Sequence, residues 1–283
     1  MIEVISTVKE IQLRSDSMRR EGKTIALVPT MGFLHEGHLS LIRMVRRKAD
    51  DVIVSIFVNP IQFGTNEDLD NYPKSLDRDI ELAHGAGADV IFTPDNQELY
   101  PEDFETLISL KELPGHLCGI SRPVHFRGVA TVVAKLFLIT KPHISIFGEK
   151  DFQQLCVIRR MAKDLNFDIE IIGAPIVREP DGLAMSSRNS YLTPEQRKSA
   201  ISLSQSLQNA RAMVESGTTN VAEIIRAISE FIQSHTETNI DYIAVCDPET
   251  LDDIDRIERP ALIALAVKVG KTRLIDNSFL TLP

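Results

Sequence analysis

Between residues 24 and 177, five short apolar runs, "TIALVP", "DVIVSIFVN", "ADVIFTP", "HISIFG" and "DIEIIGAPIV", alternate with stretches whose apolar residues recur at helical spacing. The runs are rich in β-branched residues and bounded by Gly or Pro. Apolarity this continuous marks strands covered on both faces rather than one. Strands that alternate with helices are joined by crossovers, so this part of the chain is expected to form a parallel, doubly wound α/β sheet with right-handed connections. The helical pattern from about Glu36 to Ala49 sets Leu39, Ile42 and Val45 on one stripe and ends in Arg46, Arg47 and Lys48, which suit the negative end of a helix dipole. A second, Asp151 to Leu165, carries Leu155, Ile158, Met161 and Ala162 at the same spacing.

The pattern changes near Val177. Two helical stretches follow, about Pro194 to Ser216, opened by Thr193-Pro194-Glu195, and Asn220 to Ser234. Strand-like "IDYIAVCD" and "ALIALAVKVGKTRLID" come next. The expected organisation is a Rossmann-like ligand-binding domain over 1–176 and a smaller α+β domain over 177–283, with the Arg178 to Asn189 loop at the boundary.

A net charge of −9 opposes a nucleic-acid partner, because gripping a phosphate backbone takes a positive surface. No apolar run is long enough to span a bilayer, so no membrane partner is expected. The N-terminal stretch mixes apolar and charged residues without the features of a secretion signal, and a cytoplasmic protein is expected. Cys118, Cys156 and Cys246 are widely spaced, without a CxxC, and suggest neither disulfides nor a cysteine metal site. If the ligand carries phosphate, its positive partners must therefore be local: Lys150, Arg188, Arg122, Arg127 and a pair of histidines.

Some familiar signatures fail. "VGKT" has the tail of a Walker A loop, but Leu265 stands where its first glycine belongs. "HGAGADV" is followed by a strand instead of a helix and reads as a helix C-cap. "HEGH" has its histidines three apart, not the four of a zincin.

What survives is "PTMGFLHEGH", a strand-to-helix junction. The first amides of a helix lack intrahelical partners and the dipole is positive there, so an anion is favoured. Gly32 and Gly37 allow close approach, and His35 and His38, at i and i+3, can turn their rings to one side. A lone histidine would read as a turn cap; two with two glycines point to a reacting phosphate. "GEKDFQQ", Gly148 to Gln154, repeats the strand-to-helix context and sets Lys150 against the dipole, tolerable if it faces a shared anion. "DGLAMSSRNS", Asp181 to Ser190, reads as a flexible loop with hydroxyl and guanidinium donors, suited to a lid over a phosphate chain. Asn59 and Gln62 in "FVNPIQFG" follow the second of the five runs, at the strand end where open sheets bind ligands. Tyr72, Arg122, His125 and Arg127 offer further polar contacts.

"PTMGFLHEGH", "FVNPIQFG", "GEKDFQQ" and "DGLAMSSRN", in this order, resemble the pantothenate synthetase family, the AMP-forming pantoate–beta-alanine ligases. More broadly, "HEGH" resembles the HxGH signature, and "MSSR" the KMSKS-like loop, of a nucleotidyltransferase superfamily. The resemblance implies a homodimeric enzyme that joins pantoate to beta-alanine through an adenylate formed from Mg-ATP. It implies ATP contacts at Met31, Gly32, Phe33, Leu34, His35, Glu36, Gly37 and His38, with His38 as proton donor and His35 as phosphate partner. Gly148, Glu149, Lys150 and Asp151 would also meet the nucleotide, Lys150 at phosphate and Asp151 at ribose. Val177 would contact adenine, and Met185, Ser186, Ser187 and Arg188 would close over the triphosphate. His38, His35, Lys150 and Arg188 are the implied catalytic set. Gln62 and Gln154 would hold pantoate, with Asn59, Tyr72 and Arg122 as further substrate contacts. No protein-bound metal is implied; Mg2+ arrives with ATP.

Overall fold

The computed structural model describes residues 2–65, 67, 69 and 72–283. Two compact units emerge. The first comprises residues 1–111, 122–149 and 154–175, the second 112–121, 150–153 and 176–283.

The first unit is built on a parallel sheet of β1 (Glu3–Ile5), β2 (Ile25–Thr30), β3 (Asp51–Ile56), β4 (Val90–Phe92), β5 (Ile144–Gly148) and β6 (Glu170–Ala174), in the order β1-β4-β3-β2-β5-β6. Ala26, Val28, Val52, Val54, Ile91, Ile144 and Ile146 pack one face against Leu39, Ile42 and Val45 of the helix Glu36–Arg46 and Ala83 and Ala86 of the helix Leu76–Ala86. Ile25, Leu27 and Ile53, alternating with them, are equally buried. Burial of both faces is why β2 to β5 read as unbroken apolar runs, whereas β6, at the sheet edge, is only partly buried despite its apolar sequence. The "HGAGADV" stretch ends the helix Leu76–Ala86, with Gly87 as its left-handed cap at φ 106°.

The strand order reverses beside β2. From β2 the chain steps outward to β3 and β4, then returns to place β5 on the other side. Pairing of β2 with β5 covers Ala26–Ile144 and Leu27–Ser145, although β2 runs on to Thr30 and β5 to Gly148. Their carboxyl ends therefore separate, and a crevice at such a switch point is where open α/β sheets receive ligands.

The second unit holds an antiparallel sheet of β7 (Thr238–Cys246), β8 (Ala261–Val269) and β9 (Thr272–Leu280), in sequence order. Ala261, Ile263, Leu265, Val267 and Val269 alternate onto one face. They join Leu203, Leu207 and Val214 of the helix Pro194–Glu215 and Ile224, Ile228 and Ile232 of the helix Val221–Gln233 in one core. The stretch "ALIALAVKVGKTRLID", read as one strand-like run, is a hairpin. Its turn includes Gly270 at φ 58°, which also explains why "VGKT" is no phosphate loop. The helix His125–Thr140 has no counterpart in the sequence reading; all but three of its residues are buried: Arg127, Lys135 and Leu138.

Candidate active site

In the first unit, β2 ends at Thr30 and the helix Glu36–Arg46 begins with His35 as its N-cap. Between them Gly32 at φ 83° and Phe33 at φ 48° are successive left-handed residues. This turn brings the amides of Phe33 and Leu34 to one side, a concavity that attracts an anion. The chain supplies that anion itself. Asp79, buried in the first turns of the helix Leu76–Ala86, accepts from the amides of Phe33 and Leu34, each at 2.7 Å. Arg78 donates to the Leu34 carbonyl at 3.0 Å and lies over the Phe33 ring, 5.4 Å from its centroid. The turn carrying the histidines is therefore held from below. Replacing Asp79 with alanine is expected to destabilise the fold by about 3 kcal/mol, since two charge-assisted bonds are lost and two amides stranded. A denaturant midpoint equal to that of the parent would show that the turn holds itself.

The two imidazoles meet as their i, i+3 spacing predicts, ring centroids 4.0 Å apart and planes tilted by 33°. The His35 amide donates to His38 Nδ1 at 3.3 Å. A nitrogen that accepts carries no proton, so the ring proton of His38 resides on Nε2. Charging both rings at this separation would cost about 4 kcal/mol at an effective dielectric of 20, at a helix end that already repels cations. The pair therefore does not carry two charges at once.

Below β3, the turn Pro60–Gln62 brings together residues far apart in sequence. Asn59 Nδ2 donates to Gln62 Oε1 at 3.0 Å and to the Gly128 carbonyl at 3.1 Å. Gln62 Nε2 reaches Met31 Sδ at 3.1 Å, so the expected pantoate residue touches the expected ATP segment. His125 Nδ1 lies 3.0 Å from the Gln62 carbonyl, and Tyr100 donates to Asn59 Oδ1 at 2.8 Å. A β-carbon on Gly128 would lie 2.5 Å from Gln62 Cα, so only glycine lets the helix His125–Thr140 lie against this turn. Tyr72 is buried, edge-on to Phe63 with centroids 6.3 Å apart. Arg122 forms a two-pronged ion pair with Glu67, with Nε to Oε1 at 2.8 Å. Burial works against ionisation of Glu67, but the guanidinium prevails and holds that carboxyl below its ordinary range. Gly148 closes β5 and Glu149 follows it. Gln154 is half-buried on the helix Phe152–Asp164.

In the second unit, Lys150 and Asp151 complete the 3-10 turn that begins at Glu149, so Lys150 lies just before the α-helix rather than within it. Asn277 Nδ2 holds the Lys150 carbonyl at 3.0 Å, and Lys150 Nζ lies 3.4 Å from Asp151 Oδ2. Lys150 shares the lining of a small cavity with Leu183, Ala184, Ser186, Leu203 and Asp276. The adjacent Gln153 fastens backbone, accepting from the Cys118 amide and donating to the Leu113 and His116 carbonyls.

The stretch expected to be a flexible loop carries local structure of its own. Arg178 and Ala184 bridge as antiparallel partners around Gly182 at φ 93°, and the Met185 amide donates to the Val177 carbonyl at 3.0 Å. The turn sets Val177, the expected adenine contact, opposite Met185. Ser187–Tyr191 then forms a 3-10 helix capped by Ser186, which accepts from the Arg188 amide. Arg178 clamps this structure to Asp276 through two bonds of 2.6 and 2.9 Å, and Asn189 ties it to Glu179 and Ala184.

The family described as Pantoate-beta-alanine ligase matches residues 3–279. The chain belongs to this family. It is 60% identical over 279 residues to the pantothenate synthetase of Desulfatibacillum aliphaticivorans, covering 99% of each, and 58% identical to that of Desulforapulum autotrophicum, covering 98% of each. The crystal structure of pantothenate synthetase from Thermus thermophilus superposes with a TM-score of 0.93 at 45% identity, over 98% of this chain and 99% of that one. That of the Francisella tularensis pantoate-beta-alanine ligase, complexed with beta-gamma ATP and beta-alanine, gives 0.82 at 35%, over 98% and 97%. The family resemblance read from the motifs thus extends over nearly the whole chain. Reasoning from sequence missed the supporting residues of this ligase fold: Asp79, Tyr100, Gly128, Asp276 and Asn277. None stands in a motif, and each acts through a neighbour distant in sequence.

Proposed function

We infer that this chain condenses (R)-pantoate with beta-alanine to give pantothenate, using Mg-ATP and releasing AMP and pyrophosphate. In the first half-reaction a pantoate carboxylate oxygen attacks the α-phosphorus and the bond to pyrophosphate breaks. In the second, the beta-alanine amine attacks the acyl carbon of the adenylate, AMP leaves, and the nitrogen sheds a proton as the amide forms. No protein nucleophile is needed; positioning and charge stabilisation do the work. The observation that most supports this reading is the imidazole pair at a helix N-terminus beside the β2–β5 switch point.

His38 offers a proton from Nε2 to the reacting phosphate and His35 accompanies it, with Met31 to Gly37 framing the nucleotide. Gly148, Glu149, Lys150 and Asp151 bind nucleotide, Lys150 as a point charge on phosphate and Asp151 at the ribose. Val177 addresses adenine by its backbone, and Met185 to Arg188 take the triphosphate. Gln62 and Gln154 hold pantoate, assisted by Asn59, Tyr72 and Arg122. We take 1–176 as the nucleotide- and pantoate-binding domain and 177–283 as the lid domain, in a cytoplasmic homodimer. Among the described residues no helix is long and apolar enough to cross a membrane.

Nucleotide products measured with Mg-ATP and pantoate, with and without beta-alanine, test the reaction. AMP and pyrophosphate should accumulate catalytically only with both substrates present. ATP consumption with neither, or release of ADP, would sink it.

A further inference from the structure

Which way an amide faces decides what it can recognise, and at Gln62 the surroundings settle the matter. The Gly128 carbonyl can only accept, so Asn59 must turn Nδ2 towards it, at 3.1 Å. The second proton of Nδ2 goes to Gln62 Oε1, at 3.0 Å. Asn59 Oδ1 then faces Tyr100, whose hydroxyl donates to it at 2.8 Å. With Oε1 engaged, Gln62 extends Nε2: one N–H lies on Met31 Sδ, and the geometry of the group provides another. Asn59 is 1% exposed and Gln62 7%, so neither amide turns to satisfy itself with bulk water. Tyr100 completes the set from a distance. Its ring packs beside Phe57 and Phe104, with centroids at 6.1 and 5.0 Å, and burial pushes its hydroxyl above the ordinary range, so it remains a donor.

We propose that Tyr100 is a positioning residue: its hydroxyl fixes an amide relay, Tyr100 to Asn59 to Gln62, whose polarity makes Gln62 present N–H to an oxygen of pantoate. The proposal rests on the reading of Gln62 as a pantoate contact. A relay of opposite polarity would offer a carbonyl, which a carboxylate or a hydroxyl lone pair cannot use. Without the Tyr100 proton, Asn59 Oδ1 is stranded in a buried place, and the Asn59 amide keeps only the Gly128 carbonyl to set its orientation, so the relay loosens.

Calorimetric titration of the full-length enzyme with pantoate and, separately, with ATP tests this in Tyr100→Phe, Gln62→Ala and the double variant. Phenylalanine keeps the ring packing and removes one oxygen. Tyr100→Phe should weaken pantoate about 5-fold and leave ATP unchanged, while Gln62→Ala weakens pantoate about 10-fold or more. A residue acting through Gln62 has nothing to add once Gln62 is gone, so the double variant should match Gln62→Ala. The relay is overturned by unchanged pantoate affinity in Tyr100→Phe, by equal weakening of pantoate and ATP, or by additive losses in the double variant. Unchanged pantoate affinity in Gln62→Ala would instead overturn the pantoate contact itself, and the relay with it.

Discussion

Replacing His38 with alanine is expected to slow pyrophosphate release from ATP and pantoate by about 100-fold or more, with a much smaller change in the KM for ATP. The split follows from the geometry. The Nε2–H makes a modest hydrogen bond to a ground-state phosphate, one the solvent can largely replace. As the pyrophosphate bond breaks, negative charge builds on the departing oxygens, and a donor fixed in place gains strength without having to reorient. His38 is fixed by the His35 amide on Nδ1 at 3.3 Å and by the ring of His35 at 4.0 Å. The alanine variant should fold, because His38 lies in the first turn of the helix Glu36–Arg46 and the core stripe begins at Leu39. Pyrophosphate release near the parental rate would remove His38 from the chemistry and leave the pair as a helix cap.

The difference between what the sequence reveals and what it conceals lies in the range of the interactions. Strands β2 to β6 of the first unit are legible because each is apolar by itself, whereas β1, three residues beginning with Glu3, is not; the His35/His38 pair is legible because its spacing is local. The helix His125–Thr140 is concealed because its apolar residues surround it: Phe126, Val129, Val133 and Phe137 are buried, and so are Ala130, Val132, Leu136 and Ile139. A helix buried on all but a narrow stripe has too little polar face to supply the period. Asp79 is hidden for another reason. An aspartate in the first turn of a helix is adequately explained by the helix dipole, and nothing local discloses that its carboxylate serves Phe33 and Leu34. The Asp181–Ser190 stretch looks irregular because small polar residues carry no period. Its order comes from Arg178, Asp276 and Arg197, side chains outside the stretch. The residues proposed to meet substrate are thus readable in motifs, whereas those that hold them in place are not.

Lys150→Ala carries the second large effect: adenylate formation is expected to fall by about 100-fold or more. Lys150 stands where a lysine is locally unwelcome, at the entry to the helix Phe152–Asp164, whose dipole opposes a positive charge. The structure keeps it there by other means. Asn277 fixes its carbonyl at 3.0 Å, and Asp151 lies 3.4 Å from the ammonium. With a side chain only 19% exposed, the ammonium is partly shielded from water, which strengthens its pull on a phosphate oxygen. An alanine here should relieve the conflict with the dipole, so the variant should be at least as stable as the parent while losing activity. That opposition separates a catalytic role from a structural one. Pyrophosphate–ATP exchange with pantoate and a thermal melt, run on the same preparation, would check both halves. Loss of activity together with a lowered melting temperature would make Lys150 a structural residue, and exchange at the parental rate would take it out of the phosphate site.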